Sequence, residues 1–141
     1  QLLADELVAW HDGSDEFADL LRASGGVGNE WEGQLFTELT PVAHPVVRVH
    51  PETGRKSLFV NPGFTRRIEG ASEAESTHLL EIFYAHITKP EHTVRIHWSA
   101  GDVAFWDNRS TVHYAAYDYP GFHRVMQRVT LEGDAPFGPR A

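Results

Sequence analysis

The stretch WDNRSTVHYAAYDYPGFHRVMQRVTLEGD, residues 106–134, decides how the chain is read. Its second half, HRVMQRVTL, alternates like a β-strand. One face carries Phe122, Arg124, Met126, Arg128 and Thr130; the other carries His123, Val125, Gln127, Val129 and Leu131. Two readings compete. In the first, Val125, Val129 and Leu131 face a core and the arginines face water, which composition alone favours. In the second, the strand is covered on both sides and Arg124 and Arg128 line an interior. Buried guanidinium groups then require anionic partners, because an unpaired buried charge is costly. A guanidinium grips a carboxylate or sulfonate through two parallel hydrogen bonds, which lysine does less well.

Working outward, 141 residues suggest one domain or a piece of one. A net charge of −8 argues against a general nucleic-acid binder, although a local basic cluster can still hold a small anion. The absence of cysteine excludes disulfides and thiolate metal sites. No apolar run approaches the roughly 18–20 residues of a membrane span. No signal-peptide pattern opens the chain, and a cytoplasmic location is expected. The missing initiator Met suggests a start inside a longer chain or after processing.

Residues 1–10 place Leu2, Leu3, Leu7 and Trp10 at helical spacing, and residues 14–23 do the same behind Ser14 as N-cap. Residues 24–40 show no period and read as a loop, of the kind that often serves as a lid. VVRVHPETGRKSLFV reads as strand, turn, strand, with Val46–His50 and Lys56–Val60 flanking the turn. NPGFTRRIEG reads as irregular. Ser72 with Glu75 makes a capping box, and Leu79, Ile82, Phe83 and His86 follow on one helical face. HTVRIHW and VAFWD read as further strands around a SAGD turn. The expected fold is mostly β with flanking helices (α+β), a half barrel or jelly-roll sheet. Residues 1–42 are expected to form a helical, lid-like flank, and 43–141 the sheet.

Nine histidines invite a metal reading. A two-histidine, one-carboxylate iron site needs three ligands on one face of the metal. The local His-x-acid triplet is His50-Pro51-Glu52, at a turn where solvent exposure is the simpler reading. His86 reads as a satisfied core histidine. His113, after WDNRSTV and before the arginine strand, is the strongest ligand candidate by context.

The stretches HPVVRVHPETG, LFVNPGFTRRIEG, AHITKPE, GDVAFWDNRSTVHYA and HRVMQRVTLEGDAPF together resemble the taurine dioxygenase family of iron(II)- and 2-oxoglutarate-dependent oxygenases. The resemblance covers roughly residues 43–137, and residues 1–40 match only loosely. It implies the C-terminal half of a double-stranded β-helix. It implies that His113 is the distal iron ligand and that Arg124, eleven residues on, pairs with the far carboxylate of 2-oxoglutarate. It further implies that Arg128 holds a substrate anion, that Phe64 belongs to the substrate pocket, and that Asn61 and Trp98 are more structural. The implied cofactors are Fe(II), 2-oxoglutarate and O2. The implied substrate is taurine, an alkylsulfonate or an alkyl sulfate ester, and the implied assembly is a dimer or tetramer.

The family's proximal His-x-Asp pair, and a threonine that helps hold 2-oxoglutarate, belong upstream of these residues. The expectation is therefore a partial chain that is inactive alone. Two alternatives remain open: a jelly-roll module that binds an anion without chemistry, and a related oxygenase acting on an aryloxyacetate or another carboxylate.

Overall fold

The computed structural model describes residues 3–14, 40–116, 118–121 and 123–139. The expected helix over 14–23 and the loop over 24–40 lie almost wholly outside the described residues. After a 3₁₀ turn at Ala4–Glu6 come strands β1 (Val8–His11), β2 (Val42–Pro45), β3 (Val47–Val49), β4 (Lys56–Leu58) and β5 (Thr65–Ile68). Helix α1 (Glu73–Ile87) and a 3₁₀ turn at Pro90–His92 follow. Among the described residues the fold is a mixed one, with two small antiparallel sheets and one helix. No helix among them is long and apolar enough to cross a membrane.

The first ten residues correct the sequence reading. The expected helix is a short 3₁₀ turn followed by a strand. A helix of this length is marginal by itself because nucleation is costly. Pairing on both edges overrides it: β1 is the middle strand of the order β2-β1-β5. Ala9 faces His44 on one side and Ile68 on the other. β5 is a second correction, since TRRI sits in a stretch read as irregular. Asn61 closes the turn before it, accepting from Phe64 N through Oδ1 (2.8 Å) and from Thr65 N through its carbonyl (3.0 Å). Thr65 and Ile68 then point inward while Arg66 and Arg67 point out.

The β3–β4 hairpin forms as expected, though shorter, around a turn where Gly54 takes φ +66°. Val46 joins the two sheets: its N–H donates to the Leu7 carbonyl, and its own carbonyl accepts from Phe59 N. The capping box is present, with Ser72 Oγ accepting from Glu75 N and Glu75 Oε2 accepting from Ser72 N. The helix turns a different face to the core than its period suggested. Leu80 is buried, with Leu79, Phe83 and Tyr84 packed nearby, while Ile82 and His86 are exposed. His86 is therefore a surface histidine, its ring beside that of His92. The core is Ala9, Val46, Val47, Val60, Ile68 and Leu80.

Residues 93–137 differ. The SAGD turn forms, with Ser99 N donating to Asp102 Oδ2 and Gly101 at φ +90°. The strands expected at 93–98, 103–107 and 123–131 form no ladder among the described residues. Both faces of 123–131 are open: Arg124 and Arg128 are exposed, and so are Val125, Val129 and Leu131. Within these residues the exposed arginines agree with the first reading, but its core face does not form, since no neighbouring edge covers Val125, Val129 or Leu131. Alternation confers a tendency to pair, but a strand needs a partner for its backbone groups.

Candidate active site

Three stretches far apart in sequence meet in one polar network. Arg48 on β3 is 4% exposed and donates through one terminal nitrogen to Asp134 Oδ2 (3.2 Å) and to the Asp134 carbonyl (3.3 Å). His50, at the end of the hairpin's first strand, is 8% exposed and lies 2.9 Å from Asp107 Oδ2 through Nε2. Its Nδ1 accepts from the backbone N–H groups of Glu52 and Thr53, so the ring proton sits on Nε2 and points at Asp107. Arg109 donates to Asp107 through Nε and a terminal nitrogen (2.8–3.0 Å) and reaches Glu52 Oε1 at 3.0 Å.

This corrects the reading of His50-Pro51-Glu52 as a solvent-facing turn. The turn residues are exposed, but His50 itself is an inward hydrogen-bond donor. The hydrogen bonds from Arg109, followed by that from His50, hold the Asp107 carboxyl far below the usual carboxylate range. The hydrogen bonds to Asp107, and then to Glu52, hold the Arg109 guanidinium well above its usual value. Asp134 is lowered first by its own backbone N–H and then by Arg48. Sequence reasoning missed this network. The available signal was the pairing of opposite charges within the quoted stretches: Arg48 and Arg109 against Glu52, Asp107 and Asp134.

The network borders the segment that carries His113. Trp106 precedes Asp107, and its ring lies 5.2 Å from that of His113. The Trp106 indole N–H donates to Asn108 Oδ1 at 2.9 Å. Beyond this loop, the Arg124 guanidinium lies over the Tyr119 ring at 5.1 Å. Among the described residues, neither Arg124 nor Arg128 has a carboxylate partner. Arg48, Arg95 and Arg109 each hold an aspartate. Phe64 is partly exposed at the start of β5, where its carbonyl accepts from Asp12 N. Asn61 uses its backbone N–H and its side-chain oxygen within the turn before β5.

His113 offers one imidazole to a divalent metal, a fitting nitrogen donor for iron. Among the described residues, no three His, Asp or Glu side chains come together as a metal-holding group. Asp107 is already taken up by His50 and Arg109, so it does not supply a carboxylate ligand beside His113. Arg124 fits a dicarboxylate cosubstrate by charge and by its planar pair of donors.

A second histidine group lies inside the first sheet. His11, His44 and Phe59 pack edge-to-face and stacked, with centroids 5.0–5.8 Å apart. Burial, and then the neighbouring His44, lower the His11 pKa to about 4. Burial, and then the charge of Arg48, lower that of His44. Both rings pack against Phe59, and among the described residues they join no metal-holding group.

Comparison with known proteins fits this arrangement. The chain is 44% identical over 137 residues to an alpha-ketoglutarate-dependent sulfate ester dioxygenase of Pseudomonas putida, covering 96% of this chain and 45% of that protein. It is 41% identical over 143 residues to an alkylsulfatase of Acinetobacter baylyi, covering 96% of this chain and 43% of the relative. Among solved structures, a taurine dioxygenase from Burkholderia xenovorans aligns with a TM-score of 0.50 at 34% identity, covering 74% of this chain and 38% of that one. The chain thus spans less than half the length of these relatives. The model of the taurine catabolism dioxygenase TauD, TfdA family matches residues 1–130, and the chain belongs to that family. The match takes in the first forty residues, which the quoted motifs reached only loosely.

Proposed function

We propose that this chain works in an iron(II)- and 2-oxoglutarate-dependent dioxygenase that hydroxylates a small anionic organic substrate. The substrate class is taurine, an alkylsulfonate or an alkyl sulfate ester, and the coproducts are succinate and CO2. The observation that carries this reading is the match to the TauD, TfdA family over residues 1–130, within which Arg124 and Arg128 stand four residues apart. Arg48, Arg95 and Arg109 hold aspartates, while Arg124 and Arg128, like Arg55 and Arg67, have no acidic partner among the described residues. Two such guanidinium groups suit two organic anions. The names of the relatives, a sulfate ester dioxygenase and an alkylsulfatase, support a sulfur oxyanion as one of them.

In this reading Arg124 takes the far carboxylate of 2-oxoglutarate and Arg128 takes the substrate's anionic head. His113 supplies one metal ligand, and Phe64 forms part of the substrate wall. Residues 43–141 contribute the C-terminal part of a double-stranded β-helix, and the other iron ligands come from beyond the described residues. Iron(II), 2-oxoglutarate and O2 together supply the oxidising power when bound. The protein's own contribution is orientation, which brings a substrate C–H bond to the reacting centre and keeps it there. Hydroxylation of the carbon next to a sulfate ester oxygen yields an unstable product that collapses to an aldehyde and sulfate.

The test is succinate release with alkylsulfonates and alkyl sulfate esters supplied one at a time. The Arg128→Met variant is expected to raise the substrate requirement about 10- to 100-fold, the loss of a hydrogen bond to a charged group. Its substrate-independent turnover of 2-oxoglutarate is expected to persist. Equal substrate requirements in the two proteins would contradict the assignment.

A further inference from the structure

The Asp107 carboxylate is bonded from two directions. From the sheet side, His50 donates through Nε2 at 2.9 Å. From the loop side it accepts from the Arg109 backbone N–H (2.8 Å) and from the Arg109 guanidinium. The Asp107 carbonyl also accepts from Thr111 Oγ1 (2.7 Å) and from Ser110 N (3.3 Å). Residues 107–111 are therefore wound around one residue, which is itself fixed to the buried His50. The chain on either side of this turn carries the two rings that meet, Trp106 and His113. His50 is in turn held in one tautomer by the hairpin backbone, so its donor direction is set by β3 and the turn after it.

We infer that Asp107 is a positioning residue for His113, with His50 as its anchor on the folded sheet. This rests on the proposed role of His113 as a metal ligand and adds the residues that aim it. A ligand is only as well placed as the groups behind it, and losing such support commonly weakens metal binding about 10- to 100-fold. The device is indirect. His50 and Asp107 touch no substrate, and act by fixing the turn that presents Trp106 and His113 to each other.

The test uses the full chain and three variants: Asp107→Ala, His50→Phe and His50→Gln. The first reading is the nuclear Overhauser contact between the Trp106 and His113 rings. Contacts across Ala9–His44 and Ala9–Ile68 serve as the check on folding. The second reading is cobalt(II) affinity by visible absorption. Asp107→Ala and His50→Phe are expected to lose the ring contact and to bind cobalt about 10- to 100-fold more weakly, with the sheet contacts kept. His50→Gln retains a donor to Asp107 and is expected to restore both.

Survival of the ring contact and of cobalt affinity in Asp107→Ala and His50→Phe would overturn the inference. Should Asp107→Ala lose the sheet contacts as well, His50→Phe decides by the same two readings. His113→Ala separates this inference from the functional proposal. If that variant binds cobalt as the parent does, the ligand role fails, and the ring contact alone decides whether Asp107 positions His113.

Discussion

The paired half of the molecule and the half that carries the proposed site residues are held together differently. Among the described residues, 3–11 and 42–87 supply every strand, the long helix and the whole buried apolar cluster. Residues 93–137 carry His113, Arg124 and Arg128, yet their large apolar side chains stand open, with Phe105 at 91% and Val129 at 89% exposure. The first half is held by burial, which is non-directional and tolerant. The second is fastened to it by charge-assisted hydrogen bonds, Arg48 donating to Asp134, His50 to Asp107, and Arg109 back to Glu52. One backbone bond, from Val49 N to the Phe137 carbonyl, closes the same seam.

The largest effect expected from breaking this contrast is in the packed half. Ile68 is fully buried, and Ile68→Ala is expected to cost about 2–5 kcal/mol, measured as a lower urea midpoint. The loss should reach both halves, because the network is attached to the base. Arg109→Met sharpens the contrast in the other direction. Hydrogen-exchange protection around residues 107–111 is expected to fall while that of β1, β2 and β5 stays unchanged. A uniform loss of protection would show that the halves are not separable.

The histidine cluster provides a pH probe confined to the packed half. His11 is held near 4 in the folded chain, against an ordinary 6.5. Between those values the unfolded chain binds the extra proton, so this contribution to stability is complete above about pH 6.5 and is lost as pH falls towards 4. His44 acts in the same direction. Thermal midpoints are expected to drop over that window, and His11→Gln to flatten the drop. The smallest effect is at the helix start. Ser72→Ala removes the capping box and is expected to cost about 1 kcal/mol in thermal or denaturant unfolding.

Local signals with a short physical range were legible in the sequence. The capping box at Ser72, the hairpin turn at Gly54 and the SAGD turn each depend on residues three or four apart, and each formed. Elements that depend on distant partners were not. QLLADELVAW carries a helical period, but its place between two strands made it β1. TRRI was hidden by the Asn, Pro and Gly before it, which make a turn rather than a long loop. HRVMQRVTL kept its strand pattern but found no edge among the described residues. Of the proposed site, His113, Arg124 and Arg128 were named through the family resemblance, and Trp106 beside His113 became visible only in the structure. In the polar network only the Asp107–Arg109 pair is local; His50–Asp107 and Arg48–Asp134 join residues 57 and 86 apart, and no local period records such pairs.

The most direct test of the central claim is 2-oxoglutarate binding measured by anaerobic calorimetry in the presence of iron(II), comparing the intact dioxygenase in which this chain works with its Arg124→Met variant. The account expects binding by the parent and an affinity about 10- to 100-fold weaker in the variant, the loss of one charge-assisted pair. Equal binding by the two proteins would show that Arg124 does not hold the cosubstrate. Absence of binding in both would contradict the dioxygenase reading for this chain.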